Sequence, residues 1–245
     1  IGYESGNLDV LRGTEIINID LITDSQLTGS QAINGFLSDG QSIFLFTDFG
    51  LLKMNPESFT VIETVREIGQ GNNSLEVYDG AILGDSLFIA SEEGILATDV
   101  INNINLADPM GWKRFGPDDN LVNEPFQFIL RKGDLLLAGS SGNGVYSFES
   151  TWNLEDLLPD QQYLNGRSFE DQILIVSGEG LFSIDVQLEA NEVQSELLIT
   201  PSDALILNGD VYAGSQRNGL VAIRSNSSES ILPSGPLVNE AFRLA

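Results

Sequence analysis

"LFIASEEGILATD", residues 87–99, is two short apolar runs on either side of Glu-Glu-Gly. The runs are rich in β-branched and aromatic residues and too brief for helices, and a glycine sits where a tight hairpin needs a positive φ angle that a Cβ makes costly. The segment reads as strand, turn, strand. Five others share its pattern: "YESGNLDVL" (3–11), "FLFTDFGLLKMN" (44–55), "LLLAGSSGNGVYSFE" (135–149), "ILIVSGEGLFSID" (173–185) and "VYAGSQRNGLVAIR" (211–224). The six turn glycines, Gly6, Gly50, Gly94, Gly144, Gly180 and Gly219, recur about every 43 residues.

A second turn precedes most of these hairpins by one strand length, as in "LSDGQSIFLF", "ILGDSLFIA", "LRKGDLLLA", "FEDQILIV" and "LNGDVYAG". Gly84-Asp85, Gly133-Asp134 and Gly209-Asp210 interrupt the apolar runs where the chain must reverse. A further apolar or alternating stretch follows several hairpins, as in "VIETVREI", "WKRF" and "EVQSELLI". Each unit is then a four-stranded antiparallel meander. One such sheet cannot bury both faces alone, whereas several packed radially bury them against one another. The expected fold is all-β: a β-propeller of four-stranded blades, residues 1–245 forming one propeller domain. The repeated Gly, Asp and Ser residues read as turn chemistry, not as catalytic groups.

"LVNEPFQFI" (121–129) returns as "LVNEAFRLA" (237–245). The first copy precedes the Gly133-Asp134 turn, which makes it the innermost strand of a blade and predicts the same for the second. Two expectations follow: the last strand closes a six-bladed ring against residues 1–20, or the chain is part of a larger ring in a larger protein.

Eleven basic and 36 acidic residues give a net charge of −25, which repels nucleic-acid backbones and anionic head groups. No apolar run approaches the roughly 20 residues of a membrane-spanning helix. Neither nucleic acid nor direct membrane insertion is expected. With no Cys and no His, disulfides, thiolate or imidazole metal sites, Cys nucleophiles and Ser-His-Asp triads are excluded. The chain lacks a P-loop, a G-x-G-x-x-G fingerprint and a G-x-S-x-G elbow, and "GSSGNG" (139–144) has the wrong spacing for phosphate. "GPDDN" (116–120) lacks the ligand spacing of a calcium-binding EF-hand. The expectation is no cofactor, with a loosely bound divalent cation such as calcium compatible with the acidity. Glu124, Glu170 and Asp203 lie near expected inner strands, but chance pairing among 36 acids makes a hydrolytic carboxylate pair a poor reading. Asn72 and Asn226 begin Asn-x-Ser sequons, a surface-loop signal.

Asn34, Asn123, Asn165 and Asn239 recur just before expected inner strands, with Glu124 and Glu240 following two of them. There they would either present amides and carboxylates to a polar ligand at the channel rim, or tie the strand entries by local hydrogen bonds.

The order of "GNLDVL" (6–11), "LTGSQAIN" (27–34), "FTDFGLLKMN" (46–55), "VYDGAILGDSLFIASEEGIL" (77–96) and "INLADPMGW" (104–112) resembles the N-terminal propeller of PorZ-like proteins. These are surface components of the Bacteroidetes type IX secretion system. The resemblance implies a non-enzymatic subunit of a cell-surface attachment complex, at the outer membrane or in the periplasm. Its implied partners are proteins of that complex, including a sortase-like subunit, and the lipopolysaccharide glycan to which cargo is joined. It also implies a seven-bladed ring of which this chain is most. It nominates no site residue, and the net charge favours a scaffold that docks proteins. A second family, the periplasmic sensor propellers of hybrid two-component regulators, is similar in skeleton only: "IASEEGILATD" and "IVSGEGLFSID" lack the Trp of its repeat.

Overall fold

The computed structural model describes residues 1–20, 30–100, 105–159, 161–170, 172–185, 187–225 and 227–232. They form six antiparallel sheets whose strands follow chain order, which is the expected meander. The first pairs β1 (Asn7–Arg12) with β2 (Glu15–Asp20). In place of a full strand before the Gly6 turn it has a single bridge from Gly2 to Leu8. The second contains β3 (Ile33–Ser38), β4 (Ile43–Thr47), β5 (Gly50–Met54) and β6 (Val61–Val65). The third contains β7 (Val77–Leu83), β8 (Ser86–Ser91), β9 (Gly94–Asp99) and β10 (Lys113–Arg114). The fourth contains β11 (Phe126–Lys132), β12 (Leu135–Ser140), β13 (Val145–Phe148) and β14 (Trp152–Glu155). The fifth contains β15 (Tyr163–Ser168), β16 (Ile173–Ser177), β17 (Leu181–Ile184) and β18 (Ala190–Glu192). The sixth contains β19 (Pro201–Leu207), β20 (Asp210–Ser215), β21 (Gly219–Arg224) and β22 (Ser227–Ile231).

The first strands β3, β7, β11, β15 and β19 lie side by side, so the sheets are arranged radially about them. The fold is a β-propeller. Its middle strands are apolar throughout because alternate side chains enter different seams between sheets. Phe44 and Phe46 pack with Leu87 and Ile89 between the second and third sheets, while Leu45 faces the first sheet with Leu8 and Leu52. Phe88 and Ala90 face the fourth sheet, meeting Phe126, Tyr146 and Trp152. Burying each such side chain contributes about 1.5–3 kcal/mol, so the seams carry the fold.

In the five four-stranded sheets the second strand ends in a hydroxyl residue, Thr47, Ser91, Ser140, Ser177 or Ser215, and all five are fully buried. Thr47, Ser91 and Ser177 donate to the carbonyls of Gly50, Gly94 and Gly180 at 2.9, 2.7 and 3.2 Å, closing the turn from beneath. Ser140 accepts from the Asn143 amide at 2.8 Å, and Ser215 ties down the Leu197–Ile199 segment.

Two local expectations change. Gly180 does not take a positive φ, although the other five turn glycines do. The Gly180 amide donates to Ser177 Oγ at 3.0 Å, and a Cβ there would meet nothing nearer than 3.6 Å. "EVQSELLI" (192–199) is not the outer strand of the fifth sheet, which ends at Glu192. Its apolar Val193 and Leu198 instead pack in the seam toward the sixth sheet.

Candidate functional site

The first strands share a kink. Their register against the second strand slips once near the start, at Ile33/Gly35, Val77/Asp79, Phe126/Phe128, Tyr163/Asn165 and Pro201/Ala204. A bulge re-aims the neighbouring side chains, here toward the adjacent sheet. Asn34, the residue passed over in β3, donates to Asp48 Oδ1 at 2.8 Å and to the carbonyl of Val77 in β7 at 3.0 Å. Asp79 in β7 accepts from the amide of Ile129 in β11 at 3.1 Å. Asn165 in β15 donates to Asp203 Oδ1 in β19 at 2.7 Å, and Arg167 adds two bonds to both Asp203 oxygens at 3.0 and 2.8 Å. These side chains staple successive sheets along the axis.

Asp203 is fully buried and also accepts from its neighbour's amide, Ala204 N, at 2.8 Å. Burial opposes the Arg167 charge, but the bonds and charge of Asp203, aided by Asp79, outweigh it and hold the guanidinium pKa above its usual value. Near the Asn34 end, partial burial and then the carboxylates of Glu76, Glu92 and Asp48 push the Tyr78 phenol up.

Of the sequence-nominated residues, Asn34 and Asn165 therefore sit on inner strands with their amides donated across a seam. Asn123 is exposed in the loop entering β11. Glu124 beside it accepts from the Asn143 amide through Oε2, while its Oε1 is buried without a hydrogen bond. Asn239 and Glu240 lie outside the described residues, as does Asn226. Glu124 precedes β11 and Glu170 follows β15, which places them at opposite ends of the sheets. Asp203 is committed to Arg167. Among the described residues no group of three or more Asp or Glu is placed to hold a metal ion.

Four of the inner strands, β3, β7, β11 and β15, line an open cavity of about 570 Å³ that includes the staple residues Asp79 and Arg167. Phe36 and Ser38 of β3, Asp79 of β7, Arg131 of β11, Arg167 of β15 and Phe169 line it, with strand edges between them. Sequence reading passed over Asp79, Arg131 and Arg167. The available signal was a charged residue inside each of "VYDGAIL", "FQFILRK" and "YLNGRS", where a buried strand should be apolar. Gly80 and Gly166 were also missed: Asp-Gly and Asn-Gly suit turns, yet these lie within strands. A Cβ on Gly80 would lie 2.3 Å from the Phe46 ring, and one on Gly166 2.6 Å from Phe128. The glycines make room for aromatic rings from the preceding sheet.

Residues 1–113 match the family model described as the N-terminal β-propeller domain of PorZ in TSS9. Over those residues the chain resembles that family. The solved structure of PorZ from Porphyromonas gingivalis, an essential bacterial surface component of the type IX secretion system, superposes with a TM-score of 0.72. Identity is 18%, over 95% of this chain and 30% of that one. The extracellular domain of a putative hybrid two-component system from B. thetaiotaomicron gives 0.67 at 14% identity, covering 91% of this chain and 30% of the other. The Pan2 WD40 domain of Neurospora crassa gives 0.64 at 12%, covering 96% and 75%. The chain thus spans under a third of the length of either of these two structures. No curated protein sequence matches it. Among the described residues no helix is long and apolar enough to cross a membrane.

Proposed function

We propose that this PorZ-like propeller is a non-enzymatic binding subunit of a type IX secretion attachment complex at the outer cell surface. It docks protein partners, a sortase-like subunit among them, where secreted cargo is joined to anionic lipopolysaccharide. The observation that carries the reading is the family match over residues 1–113. The commitment of Asn34, Asn165 and Asp203 to inter-sheet bonds supports a scaffold, since these groups hold the ring together. A charge of −25 favours protein docking on the outer faces over capture of an acidic glycan there.

The test is affinity purification of the tagged full-length protein from native envelopes after cross-linking, together with deletion of its locus. Recovery of a surface sortase, and cargo that loses its glycolipid on deletion, is the expected result. A second reading, a periplasmic ligand-sensing propeller, draws on the likeness to the two-component extracellular domain. It wins if deletion leaves cargo attachment intact but abolishes induction of a glycan-responsive regulon.

A further inference from the structure

We infer that Asn208–Gly209, the turn between β19 and β20, is a self-modification site: the asparagine deamidates through a succinimide and leaves an isoaspartate that loosens the hairpin. The chain holds five Asn-Gly pairs, at Asn34, Asn143, Asn165, Asn208 and Asn218, and in each the glycine offers an amide nitrogen that no Cβ shields. The fold treats one of the five differently. Asn34 donates its side-chain amide to Asp48 and to the Val77 carbonyl at 2.8 and 3.0 Å, Asn165 to Asp203 at 2.7 Å, and Asn218 to the Leu197 carbonyl at 2.7 Å. Asn143 gives its amide to Glu124. Asn208 is exposed, and among the described residues neither its side chain nor the Gly209 amide makes a hydrogen bond.

The turn also supplies room. Leu207 pairs with Asp210, so Asn208 and Gly209 are the whole loop, and both have positive φ, +54° and +85°, as a two-residue type I′ hairpin requires. A Cβ built on Gly209 would meet nothing within 4 Å, so water and the reacting groups have free access. The reaction needs rotation of the Asn208 backbone to bring the Gly209 nitrogen to the side-chain carbonyl. At an exposed hairpin tip that rotation displaces no packed group, whereas Asn34 and Asn165 lie within β3 and β15.

The chemistry balances with water alone. The Gly209 nitrogen, losing its proton to base, forms a bond to Asn208 Cγ; the Cγ–Nδ2 bond breaks, and ammonia leaves with that proton. Water then opens the imide ring. Attack at Cγ gives aspartate, and attack at the Asn208 backbone carbonyl carbon gives isoaspartate, whose main chain runs through Cβ and is longer by one methylene. A lengthened loop cannot keep the Leu207 to Asp210 register that a two-residue turn fixes. The new carboxylate also stands two residues from Asp210, whose Oδ2 accepts from Arg224 Nε at 3.1 Å. Both effects fall on the end of β19 remote from Asp203, so the hairpin frays from its tip. The product is the substrate class of an isoaspartyl carboxyl methyltransferase, whichever partner the propeller docks.

The experiment is ageing of the purified full-length protein in warm, mildly alkaline buffer, followed by peptide mass mapping and by methylation with an isoaspartyl methyltransferase. In the folded protein Asn208 should convert at least about fivefold faster than each of the other four, because each of those must first break a hydrogen bond. In denaturant the five rates should converge. Equal rates in the folded protein, the same lead in denaturant, or an Asn208 that stays intact in the folded protein would each overturn the site. Asn208→Gly, which keeps a residue suited to positive φ, should melt like the parent and lose the methyl-accepting signal. A signal that survives it places the isoaspartate elsewhere and sinks the inference. Hydrogen exchange at the Leu207 and Asp210 amides should be faster in the aged, methyl-accepting fraction, and unchanged exchange would refute the loosening.

Discussion

The seam between the second and third sheets and the seam between the fifth and sixth do one job by different physics. The first is a steric fit. Phe46 fills the space above Gly80, and a cluster rich in Phe, Leu and Ile closes around it. The second has a smaller apolar cluster, of Leu174, Val176, Leu181, Ala204 and Ala213, and adds an ionic bolt, with Asp203 held by Arg167 and Asn165. Where the apolar contact is thin, a charge pair with a fully buried carboxylate and a half-buried guanidinium supplies the alignment. Its cost is desolvation, so it is robust only while both partners are present.

Breaking the bolt is the largest test. Asp203→Asn should lower stability by about 3 kcal/mol, since it turns one acceptor oxygen of a fully buried group into an amide donor facing the donors of Arg167 and Asn165. Equilibrium denaturation measures it, and a loss under 1 kcal/mol would mean that the apolar contact alone aligns the sixth sheet. The turns give the next contrast. Gly50 has φ +128°, and a Cβ there would fall 2.0 Å from the Val65 carbonyl oxygen, whereas Gly180 has no positive φ and a Cβ there would make only ordinary contacts, the nearest at 3.6 Å. Gly50→Ala should cost about 2–3 kcal/mol and Gly180→Ala less than about 0.5.

A smaller effect tests the staples. Asn34→Ala removes the bonds to Asp48 and Val77 and should cost about 1 kcal/mol, while Asn123→Ala, exposed in its loop, should cost nothing measurable. Equal losses would show that the entry loop matters as much as the seam. The smallest is a pH effect. Tyr78 has a raised pKa, so the neutral phenol is favoured in the folded state. Its contribution is complete below the unfolded value near 10 and declines as pH rises above it. Tyr78→Phe should therefore flatten the fall in melting temperature between about pH 9 and 11.

The repeat made the meander legible. Hairpin glycines at Gly50 and Gly94 and unbroken runs such as "FLF" and "ILIV" carry their meaning locally, because a positive φ and burial on both faces restrict residue type at the position itself. Gly180 escaped that logic: a turn of the same length reaches it without a positive φ, and only backbone geometry separates the two. "EVQSELLI" misled for a related reason, since apolar residues in a loop that packs into a seam look like a strand.

Sequence by itself thus determined the β class, the antiparallel order, the number of hairpins and the exclusion of thiol and imidazole chemistry, all set by composition or by neighbours a few residues apart. Only the tertiary structure decided that Asp203 bolts β19 to β15, that Asn34 reaches Val77, and that Phe36, Asp79, Arg131 and Arg167 line one cavity. Those residues stand tens of positions apart, and what a charge on an inner strand meets depends on how the next sheet packs against it.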